Sequence, residues 1–246
     1  MMYISHPPII LFDFDGVVIT HTSLELAALR QVKNKWYKWQ NIENMRPIDY
    51  VRILEQSDSK NKVKAYRNLL RNYKSIIPNY LKIIIFFLRF RFSFPKLEKN
   101  YETLKPNLEN ILKILKDNNI PTGIVSNTQK KRLSYFTEKF NLNQYFDVLM
   151  SRSDAPIRKP HPVPILIALK SIKNIFSFPK IEKNRVYFIG DLPTDILCAK
   201  NAGVNSIAIL SGHGLKKDLE SENPTFIIKN IKKLLEIEPI KKYLNK

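Results

Sequence analysis

The run Ile9-Ile10-Leu11-Phe12, closed by Asp13 and followed by Phe14, Asp15 and Gly16, limits what this chain can fold into more than any other stretch. Four consecutive apolar residues suit a strand buried on both faces, as found in parallel sheets covered by helices. The strand is expected to end at Asp13, where Gly16 permits a tight or left-handed turn. Two carboxylates two residues apart at the carboxyl end of a buried strand do not solve a packing problem. Ligands bind at that end of an open parallel sheet, and neighbouring carboxylates there repel unless a cation lies between them or one is protonated. A divalent metal ion is the candidate cation.

The same grammar recurs downstream. Thr122 to Asn127 reads TGIVSN, an apolar strand ending in Ser126 and Asn127, and Val186 to Asp195 reads VYFIGDLPTD, a strand followed by Asp191 and Asp195. Between them lies Arg158 to Pro162, RKPHP, around Lys159. Helical patterns separate the strands: Pro106 to Asp117, with Leu108, Ile111, Leu112 and Leu115 on one face, then Gln129 to Phe140, Pro162 to Ile172 or beyond, and Pro193 to Ala202 ended by Gly203. Further strands are expected at Val148 to Met150, Ser206 to Leu210 and Phe226 to Ile228, and a last helix at Ile231 to Leu235. Alternating strands and helices define an α/β fold, a doubly wound, Rossmann-like and mostly parallel sheet.

From Ser23 to about Phe92 the chain has helical spacings and no glycine, which predicts an all-helical insert. Helices are expected from Ser23 to near Trp39, Pro47 to near Gln56, Lys60 to near Ile76 and Pro78 to near Phe90, with Ser93 to Thr103 as a returning hinge strand. The domains are therefore 1–20 with 104–246 as a discontinuous core, and 21–103 as the insert. Ser59 to Leu97 carries ten basic residues and no acid, and Lys60, Lys64, Arg67, Arg71 and Lys74 form a cationic stripe at helical spacing. That stripe is either a solvated face or a device that steers anions.

With 246 residues, 44% hydrophobic and 26% charged, the chain can build a core and a modest second domain. The formal charge of +19 is compatible with nucleic acid, phospholipid or small anions. Its lysines run throughout, from Lys33 to Lys246, together with abundant Ile and Asn, which resembles a compositional bias more than a designed patch and argues against nucleic acid as the main partner. Cys198, the single cysteine, excludes an intramolecular disulfide and is read as a buried structural thiol in a reducing compartment. The N-terminus shows no secretory pattern, and Ile83 to Leu88 is too short to span a bilayer, so a cytoplasmic protein with no membrane segment is expected.

The four segments, in this order, resemble the four motifs of the haloacid dehalogenase-like (HAD) hydrolase superfamily, and the insert stands where its phosphoglycolate phosphatase-like branch carries a helical cap. The resemblance runs from Ile9 to about Leu235. It implies a phosphatase that hydrolyses a small phosphorylated metabolite through an aspartyl-phosphate. Asp13 would be the nucleophile and Asp15 the general acid and base; Ser126, Asn127 and Lys159 would hold the phosphoryl group. Mg2+ would be drawn to Asp13, Asp15, Asp191 and Asp195, with Asp191 a direct ligand and Asp195 a ligand or supporting partner. A phosphomutase, or a non-catalytic binding protein using its basic surface, are the alternatives. A dehalogenase is disfavoured, because halide displacement has no use for the acid at Asp15. Leu192 departs from the small hydroxyl residue common at its place, and Thr20 and His21 stand where an acidic and a small polar residue often follow the first motif, which puts substrate and hinge behaviour in question. His21 and His161 are expected to serve local structure.

Overall fold

The computed structural model describes residues 6–20 and 96–245, with the helical positions 67, 71, 81, 85 and 88 between them. The chain divides into two compact units, residues 1–20 with 104–246 and residues 21–103. In the second unit, Arg67 and Arg71 of the basic stripe are helical and exposed. Lys60, Lys64 and Lys74, His21 and the bounds of the expected insert helices lie outside the described residues. The segment 96–101 is helical, which corrects the expected strand over Ser93 to Thr103. It follows Pro95 and has no β-branched residue, so local preference favours a helical turn, with Leu97 as its buried side chain.

The first unit is built on six parallel strands: β1 (Ile9–Phe12), β2 (Thr122–Val125), β3 (Val148–Met150), β4 (Val186–Gly190), β5 (Asn205–Ile209) and β6 (Phe226–Ile228). Their order is β3-β2-β1-β4-β5-β6. The chain winds outward from β1 in one direction and resumes from β4 in the other. The crevice at the carboxyl ends of β1 and β4 is therefore the switch point at which such sheets bind ligands.

Helices cover both faces: α1 (Leu108–Asp117), α2 (Lys130–Lys139), α3 (Val163–Ile175) and α4 (Pro193–Ala202), then the short α5 (Lys216–Ser221) and α6 (Glu238–Leu244). Alternation along β1 sends Ile10 and Phe12 to one side, where they join Leu108, Ile111, Leu112 and Leu115 of α1 and Leu133 and Phe136 of α2. Ile9 and Leu11 face the other side, against Ile165, Ala168, Leu169 and Ile172 of α3 and Cys198, Ala199 and Ala202 of α4. All four β1 residues are fully buried, which is why this strand is apolar without alternation.

Some local features differ from the sequence reading. Residues Ile231–Glu236 form a 3-10 helix where an α-helix was expected. Helices α5 and α6 were not anticipated, since six and seven residues are too few to display a period. Gly203 ends α4 in the left-handed region at φ 71, as its place in the sequence implied.

Candidate active site

The chain leaves β1 at Asp13, whose N–H donates to Ile189 O of β4 at 2.8 Å. It then turns back on itself, Gly16 N–H donating to Ile19 O at 3.0 Å, with Gly16 at φ 78. A side chain at Gly16 would be strained by that φ and would strike the Asp191 carboxylate. The glycine thus lets the β1 turn lie directly on the end of β4.

Asp13, Asp191 and Asp195 come together here, each offering a carboxylate oxygen within 4.8 Å of the others, and each almost fully buried. Asp195 stands in the first turn of α4, where its Oδ2 accepts from Leu192 N–H at 3.1 Å. An acid at that position also meets the positive end of the helix dipole. Asp191 is wrapped by the loop after β5. Its Oδ2 accepts from His213 N–H at 2.7 Å and lies 3.2 Å from His213 Nδ1, and its carbonyl accepts from Gly214 N–H at 2.9 Å. A Cβ at Gly212 would overlap Asp191, so only glycine lets the loop close this tightly.

Lys159 enters from the loop between β3 and α3. Its Nζ donates to Asp13 Oδ1 at 2.6 Å and to Asp195 Oδ1 at 2.7 Å, and stands 5.3 Å from the Phe188 ring centre. Burial alone would lower its pKa, but the two carboxylates outweigh that and hold the ammonium charged well above its ordinary range. Burial acts the other way on the acids. It pushes Asp13 well up and Asp195 up, aided by the neighbouring carboxylates and only partly offset by Lys159. With all three carboxylates ionised, the one ammonium leaves two negative charges in a dry site. A divalent cation would neutralise them, and an all-oxygen donor set suits a hard ion, so the residues fit such a metal.

Asp15 stands apart from this group. Arg132 Nη1 spans its carboxylate, 2.7 Å from Oδ1 and 2.9 Å from Oδ2. The carboxylates brought within reach of one another are those of Asp13, Asp191 and Asp195, while that of Asp15, also expected among the metal ligands, is paired with Arg132. Ser126 is buried at the end of β2, and its hydroxyl accepts from Thr128 N–H at 3.1 Å, keeping its own proton for another acceptor. The Asn127 amide is committed to Lys159, accepting from its N–H at 3.1 Å and donating to its carbonyl at 3.3 Å. His161 is exposed and its Nδ1 accepts from Val163 N–H at 3.3 Å, a local turn contact. The Cys198 thiol donates to His161 O at 3.2 Å, and burial pushes its pKa up to about 12, so it is not a thiolate nucleophile.

Sequence reasoning missed Arg132 and His213. Arg132 had a weak signal: Lys130, Lys131 and Arg132 fill the first turn of α2 with no acid. Cations there oppose the helix dipole by about 0.3–1 kcal/mol each, so one of them needs a partner elsewhere. His213 sits between two glycines, in the loop after β5 that closes on Asp191.

Residues 10–209 match the family described as haloacid dehalogenase-like hydrolase, and the chain belongs to it. A protein of Caldanaerobacter subterraneus subsp. tengcongensis named "Putative pyrophosphatase PpaX" is 32% identical over 129 residues, 52% of this chain and 56% of its own length. Phosphoglycolate phosphatase 1 of Pseudomonas aeruginosa is 29% identical over 124 residues, 50% of this chain and 43% of its own. The chain thus matches about half the length of these relatives. CbbY from Rhodobacter sphaeroides, solved in complex with phosphate, has a TM-score of 0.65 at 16% identity, covering 96% of this chain and 100% of its own, a likeness of fold. Among the described residues no helix is long and apolar enough to cross a membrane.

Proposed function

We propose that this chain is a Mg2+-dependent phosphatase that hydrolyses a small phosphomonoester through an aspartyl-phosphate on Asp13, with residues 21–103 as a helical cap. The observation that carries this reading is the pairing of two carboxylates, two residues apart, with opposite surroundings. Asp13 is buried against Lys159 and two further acids, while Asp15 is partly exposed and held by Arg132. Environments this different suit different tasks for the same chemical group.

Asp13 attacks phosphorus and the ester P–O bond breaks, while Asp15 gives its proton to the departing oxygen. Water then attacks phosphorus, its proton passes to Asp15, and the bond to Asp13 breaks with the electron pair returning to the carboxylate. Lys159 offsets repulsion between the incoming phosphoryl group and the acids, and the Ser126 hydroxyl donates to a phosphoryl oxygen. Asn127 fixes Lys159 by its backbone. Mg2+ held by Asp13, Asp191 and Asp195 would neutralise charge on the phosphoryl group.

The test is a panel of phosphomonoesters assayed with Mg2+ and with excess chelator. Release of inorganic phosphate from at least one ester, abolished by chelator, is expected. Transfer of phosphate to a second sugar position without release would make the chain a mutase. No turnover by folded, Mg2+-loaded protein across the panel would leave a binding protein.

A further inference from the structure

The proposed chemistry asks Asp15 to lose and regain a proton in each turnover without moving, and one side chain is built to hold it. Arg132 is tied at four points. Its Nη1 donates to Asp15 Oδ2 and to Thr128 Oγ1, each at 2.9 Å, and lies 2.7 Å from Asp15 Oδ1, and its guanidinium carbon lies 5.6 Å from the Phe14 ring centre and 5.4 Å from that of Phe136. Phe14 is fully buried and Phe136 nearly so, so the aromatic contacts come from rigid parts of the core. Thr128 follows directly on the second motif, and Phe14 lies between Asp13 and Asp15. A guanidinium set among rings and hydroxyl in this way loses little further freedom by binding a carboxylate.

We infer that Arg132 is the positioning residue of the acid and base step: it keeps the Asp15 carboxyl in place in both protonation states. The asymmetry of the contact permits this. When Asp15 is ionised Oδ2 accepts from Arg132 and Oδ1 lies 2.7 Å from the same nitrogen. When it is protonated the carbonyl oxygen still accepts, and the O–H is released toward the leaving oxygen. The inference rests on the phosphatase reading given above. It adds to that reading a residue on α2 whose loss hurts most where the leaving oxygen most needs a proton.

The test uses the full chain, loaded with Mg2+, and aryl phosphates that differ in leaving-group acidity. 4-Nitrophenyl phosphate departs without protonation, whereas phenyl phosphate needs it far more. In Arg132→Gln, kcat/KM for phenyl phosphate should fall on the order of 100-fold and that for 4-nitrophenyl phosphate roughly 10-fold or less, the range set by general acid catalysis. Arg132→Lys should lie between wild type and Arg132→Gln, since an ammonium offers charge but not the planar fork. Should Arg132→Gln not fold, as judged by thermal melting, the Lys variant carries the same comparison. An equal fall for both esters would assign Arg132 a purely structural role, and an unchanged ratio in either folded variant would overturn the inference. A wild-type chain that turns over neither of these esters nor any member of the phosphomonoester panel removes the phosphatase reading and this inference with it. An active wild type with an unchanged variant removes only the inference.

Discussion

Asn127 grips Lys159 by both sides of its backbone, accepting from its N–H and donating to its carbonyl, so the end of β2 holds the loop that delivers the ammonium to Asp13. Asn127→Ala removes both partners from a half-buried backbone. It should cost about 1–3 kcal/mol of stability. It should also lower kcat more than it raises KM, because a loosened Lys159 misplaces charge in the transition state. Urea unfolding and steady-state kinetics on the variant check both. A variant as stable and active as wild type would deny Asn127 this role.

Lys159 is the only cation the structure places between Asp13 and Asp195 among the described residues. Lys159→Met keeps the length of the stem and leaves two buried acids without their ammonium. A loss of about 3–5 kcal/mol at neutral pH is expected, the usual result of removing one partner of a buried ion pair. The loss should shrink in mild acid, where the acids take up protons. Urea unfolding at two pH values measures it, and an undiminished loss in acid would contradict the electrostatic account.

The raised pKa values of Asp13 and Asp195 have a direct consequence for metal binding. The ordinary value for both is 3.8, and burial raises each in the folded state. Above about 3.8 the unfolded chain gives up these protons more readily than the folded one. The two groups therefore reduce stability as pH rises from 3.8 through their folded values. A divalent ion binds the ionised acids and reverses that loss. Mg2+ should accordingly raise Tm more at pH 7 than at pH 5. Thermal melts with Mg2+ and with chelator at the two pH values decide it; an equal shift at both would place the metal elsewhere.

What could be read from the sequence, and what could not, divides along the range of the interaction. Strands β1 and β4 were legible because burial on both faces leaves an unbroken apolar run, and α4 because Pro193 and Gly203 mark its ends. Asp13 and Asp191 were legible for a related reason: each follows an apolar strand directly, so the parallel sheet brings the two strand ends together, and Asp195 stands in the first turn of the helix that follows Asp191. Arg132 was not, because its partner Asp15 is 117 residues away and its neighbours Lys130 and Lys131 are ordinary exposed cations. The hold of Asn127 on the Lys159 backbone was hidden likewise, since a side chain that grips another loop looks in sequence like one that grips a ligand. His213 touches Asp191 only because Gly212 lets the loop in.

Cys198 should be inert. It is fully buried and its pKa is pushed up to about 12, so the folded protein should not react with iodoacetamide at pH 8 while the urea-unfolded chain does. Mass spectrometry of the alkylated product reads the difference, and modification of the folded protein would show the thiol to be accessible.

The central claim is that a phosphoryl group is carried on Asp13. Brief reaction with a radiolabelled phosphomonoester, quenched in acid, should leave label on the Mg2+-loaded protein that hydroxylamine removes, as it does from an acyl phosphate. In Asp13→Asn no label should form and turnover should fall by several orders of magnitude, because an amide is a poor nucleophile. Hydroxylamine-sensitive label persisting in Asp13→Asn, or turnover equal to wild type, would contradict it.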